Sequence, residues 1–269
     1  MTVRSGVLPK SPLVFALASV RFAPWPLLAK KIDEIHNTLR DIAPLISPVQ
    51  IQQLGQEQQL VVDSPAANIW MLLAKDRSQG IQITSDQLLF FTTSYKRYPE
   101  FQEFLKRGIR AMLDHMQFMD VTNAGARYVD RITIQPTESF ADYINKSLLP
   151  AEILGFSNTG GETLSLYKQG GAELRVRCIA QPKSLNIPTD LLSVVVMSAD
   201  PSKTVRLEPL KAEEFLLDID AVKEFPEPTR MTNEAILEML DELHKAANTF
   251  FRSEHVCTDH AFSTWGLSA

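Results

Sequence analysis

Cysteine is scarce in this chain: two residues, Cys178 and Cys257, among 269. A disulfide framework is excluded at that density, and the pair fits a reducing compartment. Long apolar runs are also missing; none reaches the roughly 18 residues that a membrane-spanning helix needs. Glycine numbers only 11, so collagen-like and glycine-rich low-complexity chains are out. Neither sign of charge dominates, since 27 Lys+Arg against 32 Asp+Glu leave a net charge of −5. That balance argues against a general nucleic-acid or membrane-surface binder, and no partner of either kind is expected.

Motifs of chemistry are missing too. There is no phosphate-binding G-x-x-x-x-G-K-[ST] and no G-x-G-x-x-G after a strand. The nucleophile elbow G-x-S-x-G and the zinc motif H-E-x-x-H are absent. Gly160-Gly161 and Gly170-Gly171 read as turns. His255, Cys257, Asp259 and His260 crowd into one short stretch, with His244 a helix away. No second ligand pair stands at a finger-like distance, so a solvated tail is expected and no metal site. No cofactor, and no residue with a catalytic role, is assigned.

What the sequence does have is apolar periodicity. Hydrophobic residues make up 45%, ample for a core. Leu13 to Ala18 resembles the apolar part of a signal peptide, with Ala16-Leu17-Ala18 imitating its cleavage site. The run starts at Pro12 and continues into Val20-Arg21-Phe22, so a folded first strand over 12–22 is the expectation. Leu28, Ile32, Ile35, Leu39 and Ile42 then mark an amphipathic helix over about 27–43. A β-meander is expected over 57–95, with strands at Leu60-Val61-Val62, Asn68 to Leu73, Gly80 to Thr84 and Leu88 to Thr93. Phe101, Phe104, Leu105, Ile109 and Met112 place a long helix at about 99–119, with Pro99 in its first turn.

A strand over 125–135 puts Tyr128, Asp130 and Ile132 on one face and Arg127, Val129 and Arg131 on the other. A short helix over 139–147 and a loop rich in Gly, Asn and Thr follow. Thr163 to Tyr167 and Ala172 to Ala180 form a hairpin across Gly170-Gly171. Leu191 to Ser198, almost wholly apolar, predicts a strand buried on both faces. Thr204 to Leu207 and Phe215 to Ile219 extend the sheet. A last helix spans about 232–252, with Thr232 as its N-cap.

Both halves run strands, then a Pro-containing link, then a long amphipathic helix. The pattern predicts an α+β fold of two related halves, 1–136 and 137–269, each a mostly antiparallel sheet packed by a helix, in one compact unit.

The candidate site is a set of strand arginines. Arg127 and Arg131 share one strand face, Arg175 and Arg177 share another, and Arg21 ends the first strand. Guanidinium forks suit carboxylate or phosphate, so converging faces would make an anion pocket or a contact surface. The alternative is a solvated sheet face balanced by Glu173, Asp130 and other acids. Tyr128 and Asp130 join the candidate set, and Arg127, Tyr128, Asp130 and Arg131 are the residues an enzyme reading would use.

Several landmarks add up in order and spacing. They are Pro12-Leu13-Val14 leading to Arg21-Phe22, Tyr95 to Phe104, and Gly125-Ala126-Arg127-Tyr128-Val129-Asp130-Arg131-Ile132. Leu243-His244 through Phe250-Phe251 and Trp265-Gly266 complete them. Together they resemble a sporadically distributed family of bacterial proteins of about 260 residues with no assigned activity. That family's first strand tends to carry acidic residues where this chain has Phe15 and Ser19, and more often Asn at the position of Asp130. The resemblance implies a cytoplasmic bacterial protein with an accessory role and supplies no substrate or mechanism. The functional expectation is a non-catalytic protein-binding protein, toxin-neutralising or defence-associated. The alternative is a small anionic ligand held by Arg127, Arg131 and Arg177.

Overall fold

The computed structural model describes residues 4–49, 53–54, 60–61, 69–203 and 207–267. The fold is α+β. Strand β1 (Leu13–Phe22) is followed by helix α1 (Leu28–Leu39) and strand β2 (Leu45–Val49). Two short strands, β3 (Gln53–Leu54) and β4 (Leu60–Val61), pair with each other. The meander β5 (Ile69–Leu73), β6 (Gln79–Thr84) and β7 (Gln87–Thr92) leads into α2 (Tyr98–Met116). Then come the long strand β8 (Met119–Thr133), the hairpin β9 (Glu162–Gln169) and β10 (Ala172–Ile179), and the short helix α3 (Leu192–Ser198). Strand β11 (Glu214–Met231) and helices α4 (Asn233–Arg252) and α5 (Asp259–Thr264) complete the chain.

Nine strands form one antiparallel sheet in the order β2-β5-β6-β7-β1-β8-β11-β10-β9. β1 and β8 lie side by side at its centre, with Ala16 opposite Tyr128 and Ala18 opposite Ala126. The two longest strands, β8 and β11, pair along most of their length. Their ladder breaks between Glu224 and Thr229, where Pro226 and Pro228 lack the N–H that pairing needs.

One face of the sheet carries the helices. α1 buries Leu28, Ile32, Ile35 and Leu39; α2 buries Phe101, Phe104, Leu105, Ile109 and Met112; α4 buries Ile236, Met239, Leu240, Leu243 and Ala247. Beneath them the sheet presents Ala16, Ala18, Ala124, Ala126 and Ala221. Side chains this small let the helix backbones approach the strands closely. Gly108 serves the same end in α2, since a Cβ there would come within 2.8 Å of Phe90 Cζ and 2.9 Å of Ile81 Cδ1. The opposite face forms a second core, where Phe15, Leu17, Phe91 and Val129 meet Ile187, Leu191, Val194 and Leu210.

That second core corrects one expectation. Leu191 to Ser198 is not a strand buried on both faces but a 3-10 turn (Thr189–Leu191) running into helix α3. Only Leu191 and Val194 are buried, three residues apart, and Val196 is exposed. Helical spacing gives one apolar stripe, and one stripe suffices to roof a sheet face. The Arg77 guanidinium donates to the carbonyls of Ser198 and Ala199, closing the end of α3 where helix carbonyls lack partners.

Smaller differences follow local chemistry. The segment 139–147 forms two 3-10 turns, Phe140–Asp142 and Lys146–Leu148, not one helix. Ser139 and Asp142 make a reciprocal capping box on the first, and the Asn145 side chain caps the second. β8 begins six residues before the expected strand at 125, as Met119 shows, and β2 lies where no strand was expected. Val62, Asn68 and Thr204 to Arg206 lie outside the described residues. Thr232 caps α4 as predicted, accepting from the Ala235 N–H.

Candidate functional site

Alternation along β8 decides where the predicted site residues go. Arg127 projects on the α3 side, and Tyr128 on the side of α4. Asp130 shares the face of Tyr128, and half-buried Arg131 that of Arg127. Arg127, Tyr128, Asp130 and Arg131 therefore do not converge on one site, which removes the geometry an enzyme reading of those four needs. Arg21 is exposed near the end of β1, opposite Gln87 and Asn123.

Arg127 and Arg177 do converge, on acids of the chain itself. Asp218 of β11, only 1% exposed, lies between them. Arg127 Nε donates to its Oδ1 at 2.8 Å and Nη2 to its Oδ2 at 2.9 Å. Arg177 Nε donates to Oδ2 at 2.8 Å. Asp190, in the turn before α3, accepts from Arg127 Nη1 at 2.6 Å and from Arg177 Nη2 at 2.9 Å. Arg175 stands apart on Glu173 and Glu224. Burial opposes the charge of Arg127, yet the hydrogen bonds it donates to Asp218 and Asp190 outweigh it and hold the guanidinium firmly protonated. Two arginines and two aspartates thus neutralise one another, and the forks that would grip an anion are filled from within.

The helix side of the sheet holds a different constellation. A cavity of about 840 Å³ lies between the segment Gly6–Leu13, the start of α2, strand β8 and helix α4. The Tyr128 hydroxyl and His244 Nδ1 are hydrogen-bonded at 2.8 Å. Tyr98 stacks on the His244 ring at 3.7 Å between centroids, and Tyr95 meets Tyr128 edge-on at 6.1 Å. Asp130 lines the same space. It is 3% exposed and makes no hydrogen bond or ion pair among the described residues. Desolvation, with a smaller contribution from Asp218, pushes its carboxyl up to about 8. Burial moves His244 the other way, down to about 4, so its imidazole is neutral. The Tyr98 hydroxyl is buried without a partner.

No protein-family model and no curated protein matches this chain. The likeness to the bacterial family therefore rests on the sequence landmarks alone.

The sequence marks Tyr95 and Tyr98 only within the Tyr95 to Phe104 landmark, and His244 only as a histidine a helix away from the tail. Nothing in their spacing joins them; they meet because α2 and α4 pack side by side on one face of the sheet. Among the described residues no cluster of three metal-ligating side chains occurs. The tail expected to be solvated is partly buried instead, with Ala261, Phe262 and Trp265 in the core. Cys257 is buried, while His260 bonds Glu138 at 2.9 Å. Among the described residues no helix is long and apolar enough to cross a membrane.

A third surface lies at one end of the sheet. Among the described residues β9 pairs only with β10, which leaves its outer edge open. Leu164 and Leu166, each 62% exposed, stand opposite Arg177 and Arg175. Ile153, Leu154 and Phe156, in the loop before β9, are exposed as well.

Proposed function

We propose that the chain is a non-catalytic binding protein that engages a protein partner along β9. The observation that supports this reading is the open β9 edge with Leu164 and Leu166 exposed on it. An unpaired edge offers main-chain donors and acceptors to an extended segment of another chain, and side-chain contacts give selectivity. The opposite edge, β2, carries Pro48, a residue that discourages such pairing. β9 has no proline, and its two charges, Glu162 and Lys168, stand toward its ends. Ile153, Leu154 and Phe156, in the loop that leads into β9, are exposed apolar residues as well.

The resemblance to a sporadically distributed bacterial family adds a cytoplasmic setting and an accessory role, in which the partner is a toxin or a defence effector masked by docking. The two halves are read as an old duplication. In support, β7 lies beside β1 and leads to α2, just as β11 lies beside β8 and leads to α4. A small anionic ligand held by Arg127, Arg131 and Arg177 has less support, because Asp190 and Asp218 already occupy two of those arginines.

The test is site-specific photocrosslinking in cells of the source organism. A photoreactive residue at Leu164 is expected to capture one discrete partner chain, and the same residue at exposed Asp33 on α1 is not. Equal capture at both positions, or none at Leu164, would refute docking along β9.

A further inference from the structure

The cavity beneath the segment Gly6–Leu13 has features that core packing does not explain. Its volume, about 840 Å³, is in the range of small-molecule sites. The Asp130 carboxyl beside it, 3% exposed, makes no hydrogen bond or ion pair among the described residues. Native interiors satisfy nearly all such groups, so a carboxyl left over at a cavity points to a molecule that completes it.

The chemistry of the lining narrows the ligand. A buried carboxyl with no donor of its own calls for a cationic nitrogen, which brings charge and N–H donors together. Tyr95, Tyr98 and Tyr128 add aromatic rings, whose faces attract organic cations. Among the described residues no lysine or arginine bonds Asp130. Arg127 and Arg131 stand on the other face of β8, and Arg252 is committed to Asn248 and to the carbonyls of Arg4 and Gly6. Lys96 and Arg97 line the cavity's exposed side and make no ion pair among the described residues. The cavity therefore carries the acid Asp130 at its buried end, and the bases Lys96 and Arg97 together with the acid Glu100 at its open end.

We propose that this cavity binds a small zwitterion of the amino-acid type, with its ammonium on Asp130, its body among Tyr95, Tyr98 and Tyr128, and its acidic group toward Arg97 and Lys96. Arg252 ties down the segment that roofs the site through the carbonyls of Arg4 and Gly6. The Tyr98 ring, fixed against His244, forms one wall of the cavity. This site is separate from β9, and neither reading depends on the other.

Three probes with one aromatic body test it by calorimetry on the full chain: phenylalanine, phenethylamine and 3-phenylpropionate. Phenylalanine is expected to bind best, phenethylamine next, and the carboxylate alone weaker than phenylalanine by about tenfold or more. Asp130→Asn, which keeps the shape of the side chain, is expected to cut the affinity for both amines by about tenfold or more. Circular dichroism of the variant should match the parent, showing that the fold is intact. No binding of either amine at millimolar concentration overturns the proposal. So does 3-phenylpropionate binding best, or an amine affinity indifferent to Asp130→Asn.

Discussion

The rings of Tyr98 and His244 lie face to face, centroids 3.7 Å apart and planes 6° from parallel. Through this contact the first residue of α2 is fastened to the middle of α4, and the Tyr128 hydroxyl fastens the same imidazole to β8. Three elements distant in the chain meet on one neutral histidine.

That neutrality has a pH signature. Burial holds His244 near 4 in the folded chain, against an ordinary value of 6.5. Between those values the unfolded chain binds a proton that the folded chain refuses. The contribution of His244 to stability is complete above about pH 6.5 and falls as pH drops toward 4, by up to roughly 1.4 kcal/mol per pH unit. His244→Gln is expected to remove this slope, measured as the denaturation midpoint in urea at a series of pH values. A variant whose slope matches the parent would contradict a neutral imidazole.

Asp130 gives a slope of opposite sign. The folded chain holds its proton up to about 8, whereas 3.8 is ordinary. Stability from this group is complete below about pH 4 and is lost as pH rises through 8. The groups nearest in effect are Asp218 and the buried Cys257 thiol, whose own ionisation Asp130 disfavours. Asp130→Asn has no proton to lose, so it is expected to melt higher than the parent at pH 8.5 and alike at pH 4. Between pH 4 and 6.5 the Asp130 and His244 slopes oppose each other, and each single variant should uncover the slope of the other residue.

The arginine–aspartate cluster predicts an asymmetry. Asp218→Ala strips two guanidinium groups of their buried counter-ion and is expected to cost about 3–5 kcal/mol. Asp190 is about half exposed, so Asp190→Ala is expected to cost about 1 kcal/mol or less. Chemical denaturation of both variants measures the difference. Equal losses would mean that the two carboxylates share the burden and that the cluster is as wet as its outer acid.

The long helices, the central hairpins and the Thr232 cap were legible in the sequence, because each depends on neighbours a few residues away. Apolar spacing marked α1, α2 and α4, and Gly170-Gly171 marked the β9–β10 turn. Leu191 to Ser198 misled because β-branched apolar residues suit a strand and a roofing helix equally, and only the uncovered sheet face chose between them. The candidate arginines were legible as faces but not as pairs. Alternation assigned Arg127 and Arg177 to projecting faces, whereas Asp190 and Asp218 reach them from segments far along the chain.

The sequence by itself determined an α+β chain without a disulfide framework, with its amphipathic helices and its alternating strands, since propensity and periodicity are local quantities. Only the tertiary structure decided that Tyr98, Tyr128, Asp130 and His244 gather around one cavity and that β9 is left at an open edge. Strand order and helix placement are set by burial across the whole sheet, and contacts made at that distance leave no spacing in the sequence to read.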